Sequence, residues 1–274
     1  MASDKKIVLI TGGNTGLGYE IVKALYQTDI PYELIIGCRT VSKGEDAIAS
    51  LRKEFPESPS SLSVVQVDLN SDESLEKAVA TLQSKHGRID SLINNGGGSF
   101  DSEARTGHMT LRESWNATWD TNVSGTNVLT TLATPLLMQS SDARILFVTS
   151  GTSTLTETES TATPVLQRLN SSPPAGWPKD VMGLGFQSYR ASKTGLNMLM
   201  REWHRMLRND GIKVWAISPG FLATNLGGAG AEKLKQMGAL DPAIGGQLIR
   251  DVVQGKRDAD IGKIVRSNGA IQPW

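Results

Sequence analysis

Short continuous apolar runs alternate along this chain with longer stretches in which apolar residues recur every three or four positions. Ile7-Val8-Leu9-Ile10 is the first run. An unbroken β-branched run of this kind predicts a strand covered on both faces, the habit of a parallel sheet. Thr11-Gly12-Gly13 closes it, and from Tyr19 to Gln27 the spacing of Ile21, Val22, Ala24 and Leu25 predicts a helix. Further strands are expected at 33–38, 62–67, 89–93, 143–149 and 212–217, with a short last one at 262–265. Between them, helices are expected at 42–54, 71–86, 111–138, 189–209 and 242–254, and a polar loop up to Thr110. Ser42 with Glu45 three residues on gives the second helix a capping-box start. Strands alternating with helices form βαβ units, and hence one α/β, doubly wound parallel sheet flanked by helices over residues 1–274.

Composition narrows the field without changing the fold. Of 274 residues 39% are hydrophobic, enough for a large core, and 28 basic residues balance 28 acidic ones. No basic face points to nucleic acid. Cys38 is the sole cysteine, so no disulfide framework exists, and His86, His108 and His204 lack metal-ligand spacing. The amino-terminal Met1-Ala2-Ser3-Asp4-Lys5-Lys6 is unlike a signal peptide, and no apolar run is long enough to span a bilayer. A cytoplasmic protein with a small-molecule partner, no membrane and no metal is the expectation, and the three Asn-x-Ser/Thr sequons are chance matches.

The chemistry-bearing residues gather at strand ends. Gly12-Gly13-Asn14-Thr15-Gly16-Leu17-Gly18 joins the first strand to the first helix. A glycine-rich turn that opens a helix offers free backbone N–H groups and a positive dipole end to an anion. Its spacing is not the G-x-G-x-x-G fingerprint. Arg39, Asp68, Asn95, Ser150 and Pro219 close other strands, where doubly wound sheets bind ligands. Tyr189 and Lys193, four residues apart on one helix, project to the same side. An ammonium beside a phenol favours the phenolate and suits it to proton transfer.

In order and position these residues resemble the short-chain dehydrogenase/reductase family, with its Rossmann-type fold, over nearly the whole chain. Thr11-Gly12-x-x-x-Gly16-x-Gly18 matches that family's cofactor turn, and Asp68-Leu69 its adenine-side pair. Asn94-Asn95-Gly96-Gly97 is similar to its Asn-Asn-Ala-Gly, Asn122-Val123-x-Gly125 to its helix-borne asparagine, and Pro219-Gly220 with Thr224 to its nicotinamide-side loop. The resemblance implies that Ser150 hydrogen-bonds a substrate carbonyl oxygen, which Tyr189 protonates as hydride arrives. It implies that Lys193 lowers the tyrosine pKa and holds the nicotinamide ribose, and that Asn122 positions a water in a relay to Lys193. Thr149 and Ser153 are neighbouring hydroxyls that compete with Ser150 for the serine role.

Two departures stand out. Ser150 and Tyr189 are 39 residues apart, much further than is common in the family. The extra segment, about 152–187, includes a short helix expected near Pro164 to Asn170. It resembles an insertion in the carbonyl reductase branch and reads as either a lid or a decoration. The ending Ile271-Gln272-Pro273-Trp274 lacks the family's usual Asp-Gly-Gly, which departs from the familiar tetramer packing, and the insertion, if it blocks one oligomer surface, favours a monomer or homodimer. Cofactor choice rests on the second strand's end. Cys38 stands where an acid would bind a ribose 2′-OH, and Arg39 follows. A guanidinium there suits a 2′-phosphate, so NADP(H) is expected, with Asn14 as a further polar contact. The leading expectation is carbonyl reduction. A catalytically silent NADP(H)-binding sensor or scaffold, and a dehydratase, isomerase or cyclase on the same fold, stay open. So does the substrate, among aromatic or polyketide-like ketones, quinones and steroid-like carbonyls. Trp115, Trp119 and Trp177 are candidates for stacking on it or for the core, and Gly227-Gly228-Ala229-Gly230 for a hinge.

Overall fold

A computed structural model describes residues 5–179, 185–228 and 230–274. Among these, eight strands form one sheet: β1 (Lys6–Thr11), β2 (Tyr32–Cys38), β3 (Ser61–Gln66), β4 (Ser91–Asn94), β5 (Arg144–Val148), β6 (Lys213–Ser218), β7 (Ile264–Arg266) and β8 (Ile271–Gln272). Their order is β3-β2-β1-β4-β5-β6-β7-β8, parallel throughout except for β8, which returns antiparallel on β7. The chain steps outward from β1 in both directions, so a topological switch point lies between β1 and β4. The Rossmann-type doubly wound sheet expected from the alternation is therefore present. β8 is too short to show a period of its own.

The helices are α1 (Gly16–Tyr26), α2 (Val41–Glu54), α3 (Asp72–His86), α4 (Asp101–Arg105), α5 (Leu111–Trp119), α6 (Gly125–Leu137), α7 (Pro164–Asn170), α8 (Gln187–Leu207), α9 (Ala231–Gln236) and α10 (Pro242–Val253). Each strand side chain points to the face opposite its neighbour. Val8 and Ile10 meet α1, α2 and α10 through Val22, Ile48 and Ile249. Ile7 and Leu9 meet α3, α6 and α8 through Leu75, Leu129 and Met200. Both layers are dry, which explains why the strands read as unbroken apolar runs.

Three local expectations change. The second helix starts at Val41 after Thr40, which makes no side-chain cap bond. Ser42 is already inside the first turn, so the expected capping box cannot form. The predicted polar loop before Thr110 contains α4, and Thr110 with Glu113 makes the capping box that starts α5. The long helix expected at 111–138 is interrupted by a π-helical turn, Asp120–Ser124. Such a turn accommodates one extra residue per ring and shifts the backbone ladder. Gly125 follows it because a Cβ there would stand 1.8 Å from Leu69 O.

Candidate active site

The carboxyl ends of β1, β4, β5 and β6 surround one crevice. Thr11 at the end of β1 staples it to β4: its hydroxyl accepts from Asn95 N (3.0 Å) and Gly96 N (2.7 Å), while Asn95 Nδ2 donates to Thr11 O (2.8 Å). Asn95 thus uses its amide inside the fold. Gly12 and Gly16 have φ of 64° and 53°, a region that favours glycine. A Cβ at Gly18 would lie 2.0 Å from Gly12 O, so the turn can fold tightly onto α1 only with glycine there. Thr15 precedes α1 without a side-chain cap bond, and the first turn holds no acid. The N–H groups of that turn are thus uncompensated by side chains and suited to a diphosphate. A Cβ at Gly16 would sit 3.5 Å from Thr224, which places the loop after β6 directly over the turn. Leu17 lies below it, against Gly245 of α10, with Pro219 beside that same glycine. Gly220 has φ of 99°.

On the other side of α1 a cleft of about 400 Å³ is lined by Asn14, Thr15, Tyr19, Lys43, Asp46, Ala47 and Ser50. Arg39 is exposed just past β2. Its carbonyl accepts from Gln66 Nε2 (3.2 Å), and no described acid pairs with its guanidinium. Asp68 uses Oδ1 to accept from Asn70 N (3.1 Å), and Leu69 packs beneath Gly96. The sequence-derived cofactor residues therefore fall along one path from α2 to the end of β6.

Tyr189, Ser150 and Lys193 come together at the end of β5. The Ser150 hydroxyl is in hydrogen-bonding reach of the Tyr189 phenol, and burial pushes that phenol up to about 12. Burial also pushes the Lys193 ammonium down to about 8; it donates to Val148 O (2.9 Å) and lies 5.8 Å from the tyrosine ring. The expectation that Lys193 lowers the tyrosine pKa is not met in this arrangement. Desolvation dominates because Lys193 is buried and Tyr189 is partly so, and the ammonium is turned to a backbone carbonyl. The competing hydroxyls are spent elsewhere. Thr149 donates to Asn197 Oδ1 (2.6 Å), and Ser153 donates to Ser150 O (2.6 Å). Only Ser150 faces the phenol.

Asn122, in the π-helical turn, is fully engaged. Its Nδ2 donates to Gly98 O (2.8 Å) and Ser192 Oγ (2.9 Å), and its Oδ1 accepts from Gly98 N (2.8 Å). A Cβ at Gly97 would stand 2.7 Å from that oxygen and 3.4 Å from Lys193 Nζ, so the strand-end glycines let the loop pass over both residues. The side chain thus fixes the loop.

The extra segment is packed against this site. Arg190, next to the tyrosine, donates to Thr152 O, Leu169 O and Asn170 Oδ1. Arg168 lies over the Phe221 ring at 5.7 Å. Residues 180–184 of the segment, and Ala229 of the expected hinge, lie outside the described residues. Trp177 is 82% exposed, and Trp119 packs on Gly195, about 200° around α8 from Lys193.

Sequence reasoning missed two residues that touch this constellation. Gln272 on β8 donates to Ser150 O (3.1 Å), tying the serine to the carboxyl-terminal strand. Asp101 on α4 accepts from the backbone of Ser188 and Tyr189. The helix expected from Tyr189 starts instead at Gln187, with Phe186 at its N-cap, so Ser188, the capping residue the sequence offers, lies inside the first turn and no local signal pointed to Asp101.

The model of the short chain dehydrogenase family matches residues 6–162 and 180–235, and so passes over part of the extra segment. The chain belongs to this family. It is 45% identical, over 99% of each chain, to the short-chain dehydrogenase/reductase tropE of Talaromyces stipitatus. It is 44% identical to the short-chain dehydrogenase/reductase eupG of a Phoma species, over 100% of this chain and 99% of that one. Its fold is similar to that of the NADPH-bound carbonyl reductase from chicken fatty liver, with a TM-score of 0.76, 22% identity and 98% and 99% of the two chains covered. As a short-chain dehydrogenase the protein is an oxidoreductase that works with a nicotinamide cofactor. No described helix is long and apolar enough to cross a membrane, and no described cluster of His, Cys, Asp and Glu could hold a metal ion.

Proposed function

We propose that this short-chain dehydrogenase uses NADPH to reduce a ketone or other carbonyl, or runs the reverse alcohol oxidation, with Tyr189 as general acid or base. The convergence of the Tyr189 phenol, the Ser150 hydroxyl and the Lys193 ammonium beside the glycine turn carries this reading. The NADPH-bound chicken carbonyl reductase, whose fold is similar, supports it.

The residues fit a dinucleotide. Gly12, Asn14, Thr15, Gly16, Leu17 and Gly18 would hold the diphosphate at the uncapped start of α1, where a Cβ at Gly18 would close the turn. Arg39 would meet a 2′-phosphate, Asp68 and Leu69 the adenine, and Asn95, Gly96, Pro219, Gly220 and Thr224 the nicotinamide side. When bound, the reduced nicotinamide supplies the hydride.

Ser150 Oγ donates to the substrate oxygen and fixes its place against Tyr189 Oη. Tyr189 gives its proton to that oxygen as negative charge develops there, which is where a positioned donor is most effective. A phenol pushed up to about 12 is protonated throughout the neutral range. Lys193, with an ammonium pushed down to about 8, is poised to return a proton to the phenolate and to bind the nicotinamide ribose. Asn122 holds the Gly98 loop over this pair and would position a water in a relay to Lys193.

A panel of aromatic, quinone and steroid-like carbonyls, followed by NADPH absorbance and product analysis, tests the reading. Tyr189→Phe should bind NADPH as the parent does and turn over about 10²–10⁴-fold more slowly. A Tyr189→Phe enzyme as fast as the parent would remove the tyrosine from the mechanism. Products formed without NADPH oxidation would move the protein to the dehydratase, isomerase or cyclase class.

A further inference from the structure

The helix that carries Tyr189 has no cap of its own. α8 begins at Gln187, directly after the extra segment, and Phe186 at its N-cap supplies no side-chain hydrogen bond. The first amides of a helix lack intrahelical partners and need them from elsewhere. Here they come from α4. Asp101 Oδ1 accepts from Ser188 N (3.0 Å), and Oδ2 accepts from Tyr189 N (3.1 Å) and Ser99 Oγ (3.1 Å). The carboxylate is buried, and no described lysine or arginine pairs with it. Its charge is met by amide dipoles at the positive end of α8, an arrangement that is stronger than neutral hydrogen bonding.

The support beneath Asp101 is rigid. Thr118 Oγ1 accepts from Phe100 N (3.3 Å) and pairs with Ser188 Oγ (3.0 Å), while Ser114 Oγ donates to Phe100 O (2.8 Å). One turn further along α4, Arg105 donates to Gly185 O (2.6 Å) and lies 5.8 Å over the Phe186 ring. α4 therefore grips both the end of the extra segment and the first turn of the catalytic helix.

We propose that Asp101 is a positioning residue for the reaction: it caps α8 from outside and so sets where the Tyr189 phenol meets Ser150 and the substrate oxygen. This rests on the carbonyl-reduction reading above. A misplacement of about 1 Å can lower a rate about 10²-fold, so two bonds to the tyrosine's own turn have leverage on turnover.

Asp101→Asn tests this, with Asp101→Ser, smaller and neutral, measured alongside in case the amide disturbs folding. NADPH affinity should stay within about twofold of the parent and kcat should fall roughly tenfold. Amide hydrogen exchange at Ser188 and Tyr189 should quicken. Parent-like kcat, or parent-like exchange at those two amides, would overturn the proposal. So would a loss of NADPH affinity in step with kcat, which marks general unfolding. The exchange measurement needs no turnover. A parent that reduces no carbonyl therefore sinks the functional reading by itself, while exchange still shows whether Asp101 caps the helix.

Discussion

At the scale of single residues, the proposed preference for NADPH rests on Arg39. It follows β2 immediately, is exposed, and has no described acid to neutralise it. Cys38 before it is buried and donates to Thr40 O (3.3 Å), so nothing acidic stands there to repel a phosphate. A hydrogen bond to a charged group contributes roughly 1.5–3 kcal/mol. Arg39→Ala should therefore weaken NADPH binding about ten- to a hundredfold and leave NADH nearly unchanged. Lys43, which lines the adjoining cleft, would keep the loss toward the smaller end. Dissociation constants for both cofactors decide the matter: equal losses would assign Arg39 to the fold or to adenine stacking. The identities of Arg39, Tyr189 and Lys193 were legible in the sequence because each stands at a strand end or at helical spacing. The sense of the pKa shifts was not, because it depends on how deeply the pair is buried.

At the scale of elements, the π-helical turn between α5 and α6 does the positioning that a plain helix would not. It brings Asn122 under the Gly98 loop and lets Gly125 meet the end of β3. A Cβ at Gly125 would lie 1.8 Å from Leu69 O and 3.1 Å from Leu69 Cβ, and backbone cannot swing aside as a long side chain does. Gly125→Ala should destabilise the protein by about 3 kcal/mol or more, read as a lower urea midpoint with an unchanged slope. A midpoint equal to the parent's would mean that the junction yields more easily than its packing implies. The helical pattern over 111–138 was visible in the sequence. The extra residue within it was not, since a one-residue offset barely alters apolar spacing and its cause lies on another strand.

Over the whole molecule, the amino-terminal end of the sheet is held by charge. Arg144, buried at the start of β5, donates to Asp142, Asp258 and Val252 O and lies 5.5 Å over the Trp215 ring. Lys213 on β6 bridges the same two aspartates. The Arg144 and Lys213 bonds hold the Asp258 carboxyl below the usual aspartate range. A carboxyl lowered in the folded state adds stability that is present above its unfolded pKa of about 3.9 and is lost as pH falls through the folded value. Asp258→Asn should thus destabilise at pH 7 by about 1–2 kcal/mol, less than a fully buried pair because Asp142 remains and solvent screens the site. The difference between parent and variant should vanish in acid. Denaturation midpoints at pH 7 and below pH 3 measure this, and a gap that persists in acid would assign the loss to packing.

The sequence by itself determined the alternation of strands and helices, the parallel sheet, the glycine turn and the pairing of Tyr189 with Lys193 on one helix face. These follow from short-range periodicity and from motifs whose members lie within a turn or a strand of one another. Tertiary structure alone decided which hydroxyl faces Tyr189, that the phenol is raised rather than lowered, and that Asp101 and Gln272 brace the site from 88 and 122 residues away along the chain. Such contacts carry no local signature. Asp101 reads as one more polar loop residue until α4 folds it against the bare end of α8. Gln272 reads as part of a tail until β8 turns back along β7 and delivers its amide to Ser150. The physical reason is common to both: a hydrogen bond satisfies an orphaned backbone group wherever the donor or acceptor originates, and only packing determines which distant side chain arrives.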